Sequence, residues 1–289
     1  MTPNGARRDH YLPAALIGGF GLPSERSSRS RDATVAVRYT DQTGAVVRAA
    51  RTVATQIGVY ELTNPPPGLS PDAIDDLWQE YEPKLHRAVS HFQHALWDVN
   101  DWEVVLAHIT ALAVRHPDFA DEVTRFREVR GDPIEHPDEI QAERVHTLRN
   151  TPALLAASRC ALIRTGEGSS RLLINDKGFT TVEDAEVARR GIFFPLSPSI
   201  GILVVPGIGT HSEHKRAWIM SKGVWTPGAV DMMNRACWQQ TRIRCVIGHP
   251  SQTHLLESLD DERPLVVPAL DPHRRRGIEG MFDWAYRVP

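Results

Sequence analysis

Hydrophobic and polar positions follow three successive periods along this chain. Thr34–Tyr39 alternates as a strand does, Asp41-Gln42-Thr43-Gly44 supplies turn residues, and 45–55 continues as a second strand. Residues 57–62 form a third candidate strand, stopped by Pro65-Pro66-Pro67-Gly68. From Ile74 the apolar residues Leu77, Tyr81, Leu85, Ala88, Phe92 and Ala95 recur every three or four positions, the period of an amphipathic helix. Ser70 is placed to cap it with Pro71 at the first helical position, and Pro83 predicts a kink or restart near Glu82. Asp101 is the expected cap of a second helix, with Val105, Ile109 and Leu112 inside and an end before Pro117. Further helices are expected over 120–129, 139–149 and 152–159, with a loop over 130–139.

Past residue 159 the period returns to that of strands. Segments 160–164 and 172–175 flank Gly166-Glu167-Gly168-Ser169, a hairpin signal, and 192–196, 201–205, 216–221 and 244–247 are further strands. A helix is expected over 227–240, while 24–32 and the tail from 259 are polar. Strands, then helices, then strands again predict an α+β fold: an antiparallel-rich sheet built from N- and C-terminal strands with a helical block inserted between them. The expected organisation is one domain over 9–258, made of N-terminal strands (9–63), the helical block (69–159) and strands plus one helix (160–258), followed by a tail at 259–289.

A chain of 289 residues can bury a sizeable core, and its 41% hydrophobic and 24% charged content is that of an ordinary globular protein. The net charge of −3 gives no broad positive field, so nonspecific attraction to membranes or nucleic acid is not implied, although a local basic cleft is allowed. The three cysteines, Cys160, Cys237 and Cys245, form no CxxC pair. Cys160 and Cys237 sit among apolar neighbours and read as buried small hydrophobes, and the odd, sparse set fits a reducing, cytoplasmic setting. Arg7-Arg8 precedes an apolar run, but Pro13, Gly18 and Gly19 interrupt it and no small-x-small cleavage site follows, so export is not expected. No run approaches the ~20 apolar residues that span a bilayer. Dinucleotide, P-loop and nucleophile-elbow signatures are all absent.

His10-Tyr11-Leu12-Pro13 opens an apolar run to Phe20. It is followed, in order, by Glu82 early in the helical block, Arg115-His116-Pro117, the turn Asn175-Asp176-Lys177-Gly178, Pro195-Leu196-Ser197-Pro198, and Asn234 in a late helix. Across 9–247 these segments resemble the uncharacterised bacterial DUF4238 family, whose members open with His-Tyr-Val-Pro and carry a Pro-Leu-Ser-Pro segment. Lys177 and Gly178 depart from that family's Asp-Asn-Pro-like turn. The resemblance implies no particular reaction.

If the three blocks share one core, these residues converge. An imidazole beside two carboxylates can act as a general base or hold a divalent metal with them, so His10, Asp176 and Glu82 are the candidate catalytic groups. A guanidinium and amides can hold a substrate's phosphate or carboxylate, which makes Arg115, Asn234 and Asn175 the candidate substrate-binding groups. That chemistry suits a hydrolase acting on a phosphate-bearing or nucleic-acid substrate. Its rivals are a non-enzymatic ligand-binding, defence or sensor module, and a biosynthetic enzyme on an amino-acid-like substrate whose carboxylate Arg115 would clamp. The bland alternative is a buried polar network tying strands to helices. His91 with His94 is a weaker metal candidate because it lacks further ligands, and His211 with His214 around Glu213 is another because it lacks the HExxH spacing. Arg274-Arg275-Arg276 reads as a solvated charge patch.

Overall fold

Short segments that pair across long stretches of sequence begin the fold. A computed structural model describes residues 8–24, 29–65, 67–156, 158–184, 189–205, 219–241 and 244–259. Its first elements are β1 (Arg8–His10), α1 (Ala14–Gly18), β2 (Thr34–Tyr39), β3 (Ala45–Ala49) and β4 (Thr55–Ile57). The expected strand over 45–55 ends early. Ala50 turns inward, its N–H bonded to the Ala33 carbonyl at 2.9 Å, and Ala50–Thr52 coils into a 3-10 turn. Ala54 then takes a left-handed φ of 53°, so β4 leaves the β2–β3 ladder and pairs antiparallel with β1. The apolar run after His10 forms α1, and Leu12, Leu16, Ile17 and Phe20 are buried.

The helical block comprises α2 (Ala73–Gln79), α3 (Glu82–Gln93), α4 (Val99–Arg115), α5 (Asp118–Val129) and α6 (Pro137–Ala156). The restart at Glu82 with Pro83 in the first turn is the one Pro83 predicts. Ser70 does not cap a helix from Pro71; its hydroxyl and carbonyl accept from Asp72 and Ala73 in a turn that precedes α2. The cap of α4 is Asp98 rather than Asp101. Its carboxylate accepts from the Asn100 and Asp101 amides while Asp101 reaches back to the Asp98 amide, a reciprocal capping box. Segments 139–149 and 152–159 are not two helices. The single helix α6 runs through Pro152, which removes one backbone donor without ending it.

The remaining elements are β5 (Arg159–Thr165), β6 (Ile174–Asn175), β7 (Thr180–Asp184), β8 (Arg189–Ser197), β9 (Ile200–Val205), β10 (Ile219–Trp225), α7 (Pro227–Gln239), β11 (Cys245–Gly248) and α8 (Thr253–Ser258). A four-stranded antiparallel sheet in the order β3-β2-β11-β6 joins N-terminal to C-terminal strands, giving the α+β architecture expected. A five-stranded sheet, β10-β5-β9-β8-β7, is built wholly from the C-terminal part, with β10 parallel to β5. The predicted hairpin of 160–164 with 172–175 does not form. β5 pairs with β9 and β10, whereas β6 joins the other sheet beside β11. The hairpin turn lies instead at Pro198-Ser199, between β8 and β9.

The three parts of the chain share one apolar cluster, which takes Leu12 and Val37 from the first strands, Leu85, Ile109 and Phe119 from the helices, and Ile174, Phe194 and Ile247 from the later strands. Among the described residues, no helix is long and apolar enough to cross a membrane.

Candidate functional site

Arg115 closes α4 because Pro117 prevents the helix from continuing, and its side chain turns into the core, 1% exposed. One guanidinium nitrogen, Nη1, donates to the Glu82 carboxylate and, at 2.9 Å, to the Tyr81 hydroxyl; Nη2 donates to the His10 carbonyl. The Tyr60 hydroxyl donates to the Arg115 carbonyl at 2.6 Å, and the guanidinium carbon lies 5.0 Å from the centre of the Trp78 ring. Burial opposes the arginine's charge, but Tyr81, Glu82 and Tyr60 raise its pKa well above the ordinary value.

The structure therefore brings His10, Glu82 and Arg115 together, with His10 contributing its backbone oxygen to the guanidinium. The His10 imidazole lies 3.1 Å from the Arg51 carbonyl through Nε2. Burial lowers its pKa, the Arg51 carbonyl bond opposes that, and Arg115 adds a further downward push.

Asp176 belongs to a neighbouring set. Its carboxylate is fully buried and accepts from the Arg244 amide at 2.8 Å. The imidazole facing it, 4.0 Å away, is that of His116, next in sequence to Arg115. The other nitrogen of His116 lies 4.0 Å from Asp118, and Tyr11 meets the ring edge-on at 5.3 Å between centroids. The expected pairing of His10 with Asp176 does not form; Tyr11 and His116 line the Asp176 set, while His10 and Arg115 line the other.

The turn that carries Asp176 needs Gly178, which holds a φ of +81° where a Cβ would lie 2.8–2.9 Å from Leu112 and Leu12. The family-like proline turn would not fit this approach.

Asn175 and Asn234 bind backbone groups. Asn175 accepts from the Lys177 amide and donates to the Cys237 carbonyl, both at 3.2 Å. Asn234 accepts from the Leu173 amide and donates to the Arg171 carbonyl, both at 2.9 Å. Together they fasten α7 to the segment entering β6, and their polar atoms are engaged there.

The weaker metal candidates also separate. His91 pairs with Asp101 at 2.8 Å, while His94 bonds the Ser90 carbonyl. Among the described residues, no group of three or more His, Cys, Asp or Glu side chains is placed to hold a metal ion. His211, Glu213 and His214, and the Arg274–Arg276 run, lie outside the described residues. All three cysteines are buried, and burial pushes the Cys160 and Cys237 thiols up to about 12, so they stay protonated at neutral pH.

A different place has the features of a binding site. Between α6, the start of α5 and the 56–65 loop lies a cleft of about 580 Å³. Ile57, Val59, Leu62 and Ile140 give it apolar walls, and Gln141 and Arg144 line it from α6. The loop is fastened by Asp138, whose carboxylate accepts from the Thr63 and Asn64 amides at 2.7 and 2.8 Å.

Arg144 is 2% exposed, donates through Nη1 to the Val114 carbonyl, and packs 4.9 Å from the Phe119 ring centre and 5.4 Å from that of Tyr60. Among the described residues no carboxylate pairs with it, and its Nε has no hydrogen-bond partner. Burial pushes its pKa down to about 10, so the guanidinium remains charged at neutral pH. Gln141, 7% exposed, gives its Nε2 to the Val59 carbonyl at 3.1 Å and leaves Oε1 without a partner among the described residues.

The sequence carries a faint signal of this site. It is only that Gln141 and Arg144 fall three apart, on one helical face beside Ile140, a spacing that is no motif. In comparisons with family models, curated proteins and solved structures, the chain matches none.

Proposed function

We propose that this protein binds a small molecule bearing a carboxylate or phosphate, seated in the cleft between α6 and the 56–65 loop. The observation that carries this reading is Arg144, a buried guanidinium lining a cavity and, among the described residues, in ion-pair contact with no carboxylate. Desolvating a cation is expensive unless an anion compensates it. The Val114 carbonyl at the C-terminal end of α4 and two aromatic rings offset part of that loss, but neither supplies a full negative charge. A guanidinium also offers paired donors suited to the oxygens of a carboxylate or phosphate.

Binding is favoured over hydrolysis because the proposed catalytic groups are engaged in two separate sets. Asp176 is sealed and faces His116, and Glu82 is tied to Arg115. A cytoplasmic location accompanies the reading, supported by three buried, unpaired thiols.

Thermal melts against acetate, succinate and inorganic phosphate, at ionic strength matched with chloride, test the proposal. A ligand that binds only the folded state raises the melting temperature with its concentration. A dose-dependent rise in the wild type that disappears in Arg144→Met supports the reading. No rise with any of the three, or equal rises in both proteins, overturns it.

A further inference from the structure

We infer that the cleft selects a zwitterion, an amino acid with an apolar side chain, over a plain anion; this rests on the anion-binding reading and specifies it. Three chemically distinct groups share the cavity wall. Arg144 supplies the positive charge, Gln141 an acceptor without a partner, and Glu61 a carboxylate. The Gln141 orientation is fixed by chemistry, because its amide nitrogen must face the Val59 carbonyl, so the atom left over is an oxygen. That oxygen can be satisfied only by a donor.

Gln141 and Arg144 stand three residues apart on α6, which places them side by side on one helix face, about 5–6 Å between Cβ atoms. A ligand that satisfies both carries an acid and a hydrogen-bond donor only a few bonds apart. An ammonium meets this condition, with donors for Gln141 and a charge that suits Glu61. Phosphate dianions and dicarboxylates would instead set a second negative charge near Glu61. The rest of the wall, with Ile57, Val59, Leu62 and Ile140, accepts a hydrocarbon side chain.

The orphaned atoms of Gln141 and Arg144 are shielded from bulk water, so a ligand can reach them only if the 56–65 wall moves. A donor meeting Gln141 there removes an unmade buried hydrogen bond, and a ligand without one leaves it unmade. Selectivity against analogues that lack a required polar group is steep for this reason.

The test uses the full chain and three probes with related skeletons: L-leucine, 4-methylpentanoate, which lacks the amine, and 3-methylbutylamine, which lacks the acid. Calorimetric titration is expected to show leucine binding at least tenfold more tightly than either analogue. Gln141→Leu should lower leucine affinity to that of 4-methylpentanoate, and Arg144→Met should remove binding of both acids. Arg144→Lys, which keeps the charge and loses the planar fork, should retain weak binding and so guards against a folding artefact.

Equal affinity for leucine and 4-methylpentanoate, still dependent on Arg144, would overturn zwitterion selection and leave the anion cleft standing. Binding of neither acid would overturn zwitterion selection and leave the anion reading to the acetate, succinate and phosphate melts; binding indifferent to Arg144 would overturn both.

Discussion

Arg115 and Arg144 are two buried arginines that both contact Tyr60, and they have opposite electrostatic surroundings. Tyr60 donates to the Arg115 backbone and places its ring under the Arg144 guanidinium. Arg115 has Glu82, the Tyr81 hydroxyl and the His10 carbonyl around it, and its pKa rises. Arg144 has one carbonyl and two ring faces, and its pKa falls. Burial is almost equal at the two positions, so burial alone does not tell a structural arginine from a binding one. The presence or absence of a counter-charge does. Both leave a buried Nε without a partner among the described residues; the charge-paired arginine holds β1, α3 and α4 together, and the one without a counter-charge borders a cavity that an anion can fill.

The largest test of this contrast removes each charge in turn. Replacing one partner of a buried ion pair leaves the other uncompensated, so Arg115→Met should destabilise the fold by about 3–5 kcal/mol. Arg144→Met strands no carboxylate among the described residues and should change stability by no more than about 1 kcal/mol, with a gain as acceptable as a loss. Urea denaturation midpoints at pH 7 measure both. Losses of similar size would mean that Arg144 is a structural arginine too, and the distinction between the two sites would collapse.

The same contrast explains what was legible in the sequence. Local rules placed β2 to the residue, the restart at Glu82 and the end of α4, because proline and strand alternation act within a few positions. Pairing was less legible. The Gly166–Ser169 turn signal suggested a hairpin, but β5 and β6 joined different sheets, since partner choice is decided by the whole core.

For the site, His10, Glu82 and Arg115 did converge, yet which member of each adjacent pair faces which neighbour depends on the pleat of β1 and the end of α4. Tyr11 and His116 thus took the place beside Asp176 that had been expected for His10. Asn175 and Asn234 were expected to hold substrate, but their amides bind backbone groups, a choice of partner that no local pattern encodes. Arg144 escaped notice because a missing carboxylate leaves no motif.

A second test concerns the network side. His108 on α4 is buried against Tyr81, its ring 6.1 Å away, near the charge of Arg115. Burial, and then that charge, pushes its pKa down to about 3, so the folded state keeps it neutral where the unfolded state takes up a proton. The stability it contributes is complete above about pH 6.5 and is lost as pH falls from there toward 3. His10, also lowered by burial, acts in the same direction. His108→Leu should therefore flatten the decline in stability between pH 7 and pH 5 and leave the value at pH 7 nearly unchanged. Denaturation curves at the two pH values check this; an unchanged decline would show that the ring is not held neutral.

The smallest effect is expected at the cleft. Asp138 fastens the 56–65 loop to α6 through the Thr63 and Asn64 amides. The carboxyl is partly desolvated, but these bonds and nearby His136 outweigh that and hold its pKa below the ordinary value. The fastening is present above about pH 4 and is lost as the pH falls through the lowered value. Asp138→Ala should lower the melting temperature only slightly at pH 7, because the loop is surface structure, and the difference should vanish as the pH falls through that lowered value. Its sharper sign is local: hydrogen exchange at Thr63 and Asn64 should accelerate while the amides of α4 beside Arg115 keep their protection. If the loop then yields more readily, an acid probe should reach Arg144 faster in this variant than in the wild type. Faster exchange on α4 as well would mean that the cleft and the Arg115 network open as one unit, and that the two arginines do not mark separate regions.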